Sequence, residues 1–160
     1  MAHCLSAFVI ILILDQFTKI LTERLISQGS PIPVIPGVFD LVYVKNPGAA
    51  WGIMAGKGML LLAISIIVLI LMTVFIKKLT DGWMERYYAI SFICAGIAGN
   101  SIDRIFRGSV VDFLDFHAAN HYHWPAFNVA DSAICVGVFV FILSSWLRPQ
   151  PQPQPQDEKK

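Results

Sequence analysis

Residues Met59–Ile76 run for eighteen positions without one charged side chain, and Ser65 and Thr73 are the only polar groups among them. At about 1.5 Å per helical residue, such a run matches the hydrocarbon thickness of a bilayer. A helix that is apolar all round has no stable place on the surface of a water-soluble domain of this size. Three further stretches of similar character, at about 4–22, 87–105 and 128–147, complete an expected set of four transmembrane helices. Composition agrees: 56% of the 160 residues are hydrophobic and 14% charged, with a mean hydropathy of +0.63. That is too apolar for a soluble globule. The net charge of +1 provides no basic stripe to neutralise phosphates, which argues against nucleic acid as a partner.

The first span has neither a basic segment ahead of it nor a small-residue cleavage site after it, so it reads as an uncleaved helix. Asp15 and Lys19 stand at i and i+4 in its final third, with the acid first, the favourable order for an ion pair on one helix face. They serve either to make a charged turn tolerable near the interface or to support a site. Residues 30–44 break the helical pattern with Pro31, Pro33, Pro36 and Gly37, and Phe39, Leu41 and Tyr43 then alternate with their neighbours as in a strand. Open strands cannot face lipid. The region 30–56 is therefore expected to form a small β-platform at the membrane surface, with Trp51 at headgroup level. The third span is rich in small residues (Ala95, Gly96, Ala98, Gly99), which let helix backbones approach closely. Beyond Leu147, the Pro-Gln repeat of 149–160 cannot bury a core and reads as a disordered tail to a single domain over 1–148.

Four spans put both termini on one side. Six basic residues flank that side and five the other, and the three in the short 77–86 connection weigh most, so the termini are expected in the cytoplasm. Cys4, Cys94 and Cys135 all lie in apolar runs and read as small core residues with free thiols.

Charge is concentrated between Gly99 and Asp131, where Asp103, Asp112, Asp115 and Asp131 account for four of the eleven acids. Acids beside membrane spans mark functional sites by default. Asp112 follows Val110 and Val111, and Asp131 heads the last span. Two carboxylates close together in a low-dielectric setting cannot both ionise cheaply, so they share a proton. One can then activate water while the other donates a proton to a peptide carbonyl. Asn100, Asp103 and Arg104 share a helix face; Arg104 offers a fork for a carboxylate, and Asp103 reads as the partner of that arginine or of the helix end. Asn46 has the donors to orient a carboxylate, and Asn128 lies three residues before Asp131. His117, His121 and His123 beside Asp115 form a weaker, zinc-like constellation that no zincin motif completes; no metal or cofactor is expected. Ser101, Ser109 and Ser132 lack a nucleophile-elbow context.

Five segments in order carry a resemblance: Asp15–Lys19 (DQFTK), Asn46–Gly52 (NPGAAWG), Gly99–Arg104 (GNSIDR), Val110–Phe113 (VVDF) and Phe127–Asp131 (FNVAD). Together, over about 10–137, they resemble the lipoprotein signal peptidase (signal peptidase II) family of bacterial membrane aspartic peptidases. The resemblance implies an all-α membrane protein of four transmembrane helices with an extracytoplasmic β-cradle, acting as a monomer in the inner membrane. It implies cleavage of diacylglyceryl-modified prolipoproteins just before the lipidated cysteine, with Asp112 and Asp131 as the catalytic pair. Asn46, Asn100, Arg104 and Asn128 would line the site, and Asp15 and Lys19 would support it. Membrane lipid is the other implied partner. The chain departs from the family in Ser101 and in the CAGIAG segment before Asn100, neither of which supplies a proton-transfer group. The alternatives are an ion- or proton-coupled transporter using the same acids and a non-enzymatic scaffold. A transporter needs a polar path, whereas these acids cluster at one end.

Overall fold

A computed structural model describes residues 2–48, 53–118 and 122–148. Trp51, His121 and the Pro-Gln tail lie outside the described residues. The chain runs α1 (Ala2–Leu25), β1 (Ile32–Ile35), β2 (Phe39–Asn46), α2 (Gly58–Val74), α3 (Ile76–Thr80), α4 (Met84–Phe106), β3 (Val110–Ala118), β4 (Tyr122–His123) and α5 (Val129–Leu147).

Three of these helices, α1, α4 and α5, are long and apolar enough to cross a membrane, and α2 is a shorter apolar helix. The eighteen-residue run at 59–76 thus divides. Its helix stops at Phe75, whose N–H bonds back to Leu71 O, and the short α3 begins at Ile76. Helices α1 and α4 extend beyond the expected bounds at both ends, because backbone hydrogen bonding continues into the polar residues flanking each apolar stretch.

Helix α4 is central: α1, α2, α3 and α5 all pack against it, α5 most extensively. The small residues expected to permit close approach do so. A Cβ on Gly137 of α5 would lie 2.6 Å from Ala89 O and 2.7 Å from Ile93 Cγ1 of α4. A Cβ on Gly96 of α4 would collide with Ala130 O in the first turn of α5. Such contacts replace lipid with backbone van der Waals packing, the main attraction available between helices in hydrocarbon.

The β-platform is larger than the sequence indicated. β1, β2, β3 and β4 form one antiparallel sheet in that order, although α2, α3 and α4 lie between β2 and β3 in the chain. Asp40 pairs with Asp115, Val44 with Asp112 and Asn46 with Val110, with a register irregularity between Leu41 and Val44. Stacked rings of Phe39, Phe116 and Phe127 span the sheet, with centroids 4.6 and 5.9 Å apart. Phe127 O accepts the N–H groups of Phe113 and Leu114, and its own N–H donates to Leu114 O. These bonds hold the segment leading into α5 against β3, and so bring Asn128 to Asp112.

Two glycine substitutions separate packing from site geometry. Gly137→Ala is expected to destabilise the bundle by about 1–3 kcal/mol through overpacking, read as a lowered Tm in detergent. Gly96→Ala should lower Tm comparably and also impair the site, because the displaced carbonyl belongs to the residue before Asp131. Equal functional loss in both would show that the site does not depend on the first turn of α5.

Candidate active site

Asp112 comes from β3 and Asp131 from the third residue of α5, and they line one cavity of about 540 Å³ with Asn46, Asn100, Arg104 and Val110. Trp124, Phe127, Ile134 and Cys135 supply apolar wall. Asp112 is 2% exposed and Asp131 is half-buried.

Each of the four carboxylate oxygens accepts one N–H. Asn128 Nδ2 donates to Asp112 Oδ1 at 2.7 Å and Asn46 Nδ2 to Asp112 Oδ2 at 2.9 Å. Asn100 Nδ2 donates to Asp131 Oδ1 at 2.8 Å, and the Asn128 backbone N–H donates to Asp131 Oδ2 at 3.2 Å. Asn128 is also the N-cap of α5, its Oδ1 accepting the Asp131 N–H, so Asn128 and Asp131 form a reciprocal capping box. The Asn46 amide is fixed in turn by the Gly48 N–H at 3.0 Å.

Behind these amides lies a buried ionic cluster. Lys19 is fully buried, and its Nζ meets Asp15 Oδ2 at 2.9 Å, Asp103 Oδ2 at 2.8 Å and Asn100 Oδ1 at 2.9 Å. Asp15 and Lys19 therefore reach the site through Asn100, beyond a local ion pair. Both outer carboxylates also hold backbone. Asp15 Oδ1 accepts the N–H of Ala130, the residue before Asp131, and Asp103 Oδ2 accepts the N–H of Val111, the residue before Asp112.

Two expectations need correction. Arg104 forks to the carbonyls of Gly48 (3.0 Å) and Asn100 (3.2 Å) instead of to a carboxylate; it lines the cavity while holding the 46–48 turn. Asp103 pairs with Lys19 and with Arg107, the C-cap residue that ends α4, and not with Arg104, because successive helical residues point about 100° apart. Sequence reading missed the positioning role of Asp103 and the contribution of Gln16, which donates to both Asp15 and Asp103. The DQFTK segment was the available signal. Cys135 is exposed and lines the cavity, so it is not a core residue; Cys4 is buried.

His117 and His123 lie apart from the site, on the sheet. His117 Nε2 is 3.3 Å from Asp40 Oδ2, His123 Nδ1 is 3.0 Å from Asp115 Oδ2, and the two rings stack. The His117 contact is proximity only, since neither ring nitrogen makes a hydrogen bond.

Burial pushes the Asp112 carboxyl from its ordinary 3.8 up to about 7. The negative charge of Asp131 adds to the rise, and the N–H groups of Asn46 and Asn128 oppose it. A raised value means that the folded protein binds this proton more tightly than the unfolded chain. That stability is fully present below pH 3.8 and is lost as pH climbs through about 7.

The comparisons with known proteins agree with this geometry. The family model for signal peptidase (SPase) II matches residues 7–147. The chain belongs to the signal peptidase II family. It is 44% identical over 141 residues to the lipoprotein signal peptidase of Syntrophotalea carbinolica, with 86% of each chain covered. It is 45% identical over 130 residues to that of Geobacter sulfurreducens, covering 79% of this chain and 81% of the relative. Two bacterial membrane enzyme structures obtained by the in meso method share the fold. One has a TM-score of 0.86 at 33% identity, covering 98% of this chain and 94% of its own. The other has a TM-score of 0.81 at 34% identity, covering 94% and 96%. The chain is thus an aspartic-type signal-peptide-cleaving hydrolase with helices able to span a membrane, and nothing in these matches supports the transporter reading.

Two measurements test the electrostatics. Lys19→Met, similar in shape but uncharged, leaves Asp15 buried without its cation and should cost about 3–5 kcal/mol, read by thermal unfolding. Asp131→Asn removes the neighbouring charge and should move the Asp112 midpoint below about 7, followed by the carboxylic C=O stretch in an infrared pH titration. An unmoved midpoint would leave burial as the sole cause.

Proposed function

We propose that Asp112 and Asp131 are the catalytic dyad of a metal-independent prolipoprotein signal peptidase, cutting just before the diacylglyceryl-modified cysteine. The observation that carries this reading is the pair's shared cavity, in which neutral amides hold all four carboxylate oxygens and no cation among the described residues pairs with either acid. One proton stays on the pair below about pH 7. Asp112, the more buried, holds it; Asp131, the more accessible, takes a proton from water as the water oxygen attacks the scissile carbonyl carbon. Asp112 donates its proton to the carbonyl oxygen, giving a neutral gem-diol. As that diol collapses, Asp112 takes back a proton from one hydroxyl, the carbonyl re-forms, the C–N bond breaks, and Asp131 delivers its proton to the departing amine. The pair titrates as a unit, so its two apparent pKa values belong to both acids.

Asn46, Asn100 and Asn128 position the dyad, and Arg104 holds the 46–48 turn at the cavity wall. We read residues 1–148 as one domain in which α2, with 17 residues, is a fourth span at the short end of the usual range. The sheet and dyad then face the extracytoplasmic side, the termini the cytoplasm, and the enzyme works as a monomer that takes its lipidated substrate from the bilayer. The apolar wall of the cavity along Ile134 and Cys135 suits a substrate arriving through hydrocarbon.

The test is cleavage of a diacylglyceryl-modified prolipoprotein by purified protein in detergent. Wild type should cut before the lipidated cysteine, equally with and without EDTA, and lose activity as pH rises above about 7 and the last shared proton leaves. Asp112→Asn and Asp131→Asn should each lower the rate by at least about 10³-fold while folding and inserting normally. Inhibition by EDTA, or cutting by either well-folded variant at the wild-type rate, would sink the dyad mechanism.

A further inference from the structure

A second cavity, of about 640 Å³, lies at the end of the bundle away from the dyad. It is a groove where α2, α3, α4 and α5 meet. Val68, Leu71, Met72, Phe75, Leu79 and Phe141 make it apolar, and Lys78, Asp81 and Arg86 supply charge at one end. It lies where α2 stops at Phe75 and the chain passes into α3.

The charges at this end are unevenly paired. Arg86, 3% exposed, gives Nη1 to Asp81 Oδ2 at 2.6 Å and Nε to Ser144 at 3.2 Å. Arg148 pairs with Glu85 at 2.8 Å and lies over the Trp83 ring. Both acids are thereby engaged, while Lys77 and Lys78, both exposed, have no acidic partner among the described residues. An apolar slot with the unpaired Lys78 at its head, and the exposed Lys77 next to it in the chain, matches a molecule that is apolar along its length and anionic at one end.

We infer that this groove binds one anionic phospholipid, with an acyl chain along Leu71, Phe75 and Phe141 and its phosphate on Lys77 and Lys78. Near a membrane surface each lysine contributes about 1 kcal/mol toward anionic lipid, so headgroup selectivity should be modest and additive. The site is remote from the dyad and does not depend on the catalytic reading.

Native mass spectrometry of the full chain, released from detergent with equal amounts of phosphatidylglycerol and phosphatidylcholine of identical chains, tests it. Wild type should retain one phosphatidylglycerol in preference to phosphatidylcholine. Lys77→Gln and Lys78→Gln should each reduce that preference about fivefold. Leu71→Trp, which fills the groove from its lipid-facing side, should abolish retention with both lysines present, and unchanged Tm values would show that all variants are folded. Equal retention of the two lipids by wild type overturns the proposal. So does full retention in Leu71→Trp, which would mean loose attraction to the surface, or displacement by millimolar inorganic phosphate, which would mean a plain anion site.

Discussion

The site depends on one buried cation. Lys19 sits fully enclosed between Asp15, Asp103 and Asn100, in a protein that offers it no water. Placing an ammonium there carries a desolvation penalty of several kcal/mol, offset only if every proton finds an acceptor in good geometry. All three do. Arg107 adds a second cation on Asp103 and is itself held by Glu23. Such a cluster tolerates little change in the spacing of α1 and α4, and it transmits that rigidity: each of its acids grips the backbone N–H just before one of the dyad acids.

Why the cation acts at one remove follows from the chemistry. A dyad that shares a proton needs carboxylates that are oriented yet not strongly driven to ionise. An ammonium in direct contact would favour the ionised form and strip the shared proton. Asn100 stands between, accepting from Lys19 with its oxygen and donating to Asp131 with its nitrogen. The charge thus fixes which way the amide points, and the neutral amide fixes the carboxylate. Asn128 repeats the device from α5, accepting the Asp131 N–H and donating to Asp112.

How much of this was legible in the sequence follows from what each signal encodes. Apolar runs announced the helices, since they need only length and composition, but the stop at Phe75 inside an unbroken apolar run carried no polar marker. β1 and β2 were visible from prolines and alternation. β3 was not, because it pairs with a strand more than sixty residues away and lies directly after a helix with which it shares apolar character. The dyad and its asparagines stood out as polar groups in hydrocarbon. Spacing placed Asp103 and Arg104 near the right face but could not choose their partners: Lys19 arrives from α1 and the Gly48 carbonyl from the β2–α2 connection, and neither is a local feature.

The two acids of the dyad are set in unlike surroundings, and that asymmetry favours unlike roles. Asp131 lies in the first turn of α5, where the backbone N–H of Asn128 and the positive end of the helix dipole favour negative charge. It is also the more open to the cavity. Asp112 sits mid-sheet, almost without exposure, where two neutral amides and the more distant charge of Lys19 only partly offset the loss of water, and its carboxyl rises to about 7. A helix start and a buried strand thus give two chemically identical groups unlike surroundings, which supports the proposal that the charged acid faces the space where water can reach it and the protonated acid lies behind. Holding the two elements together is the task of the Phe127–Leu114 pairing and of the close crossing at Gly96, which lets one site be built from an inner strand and a helix start.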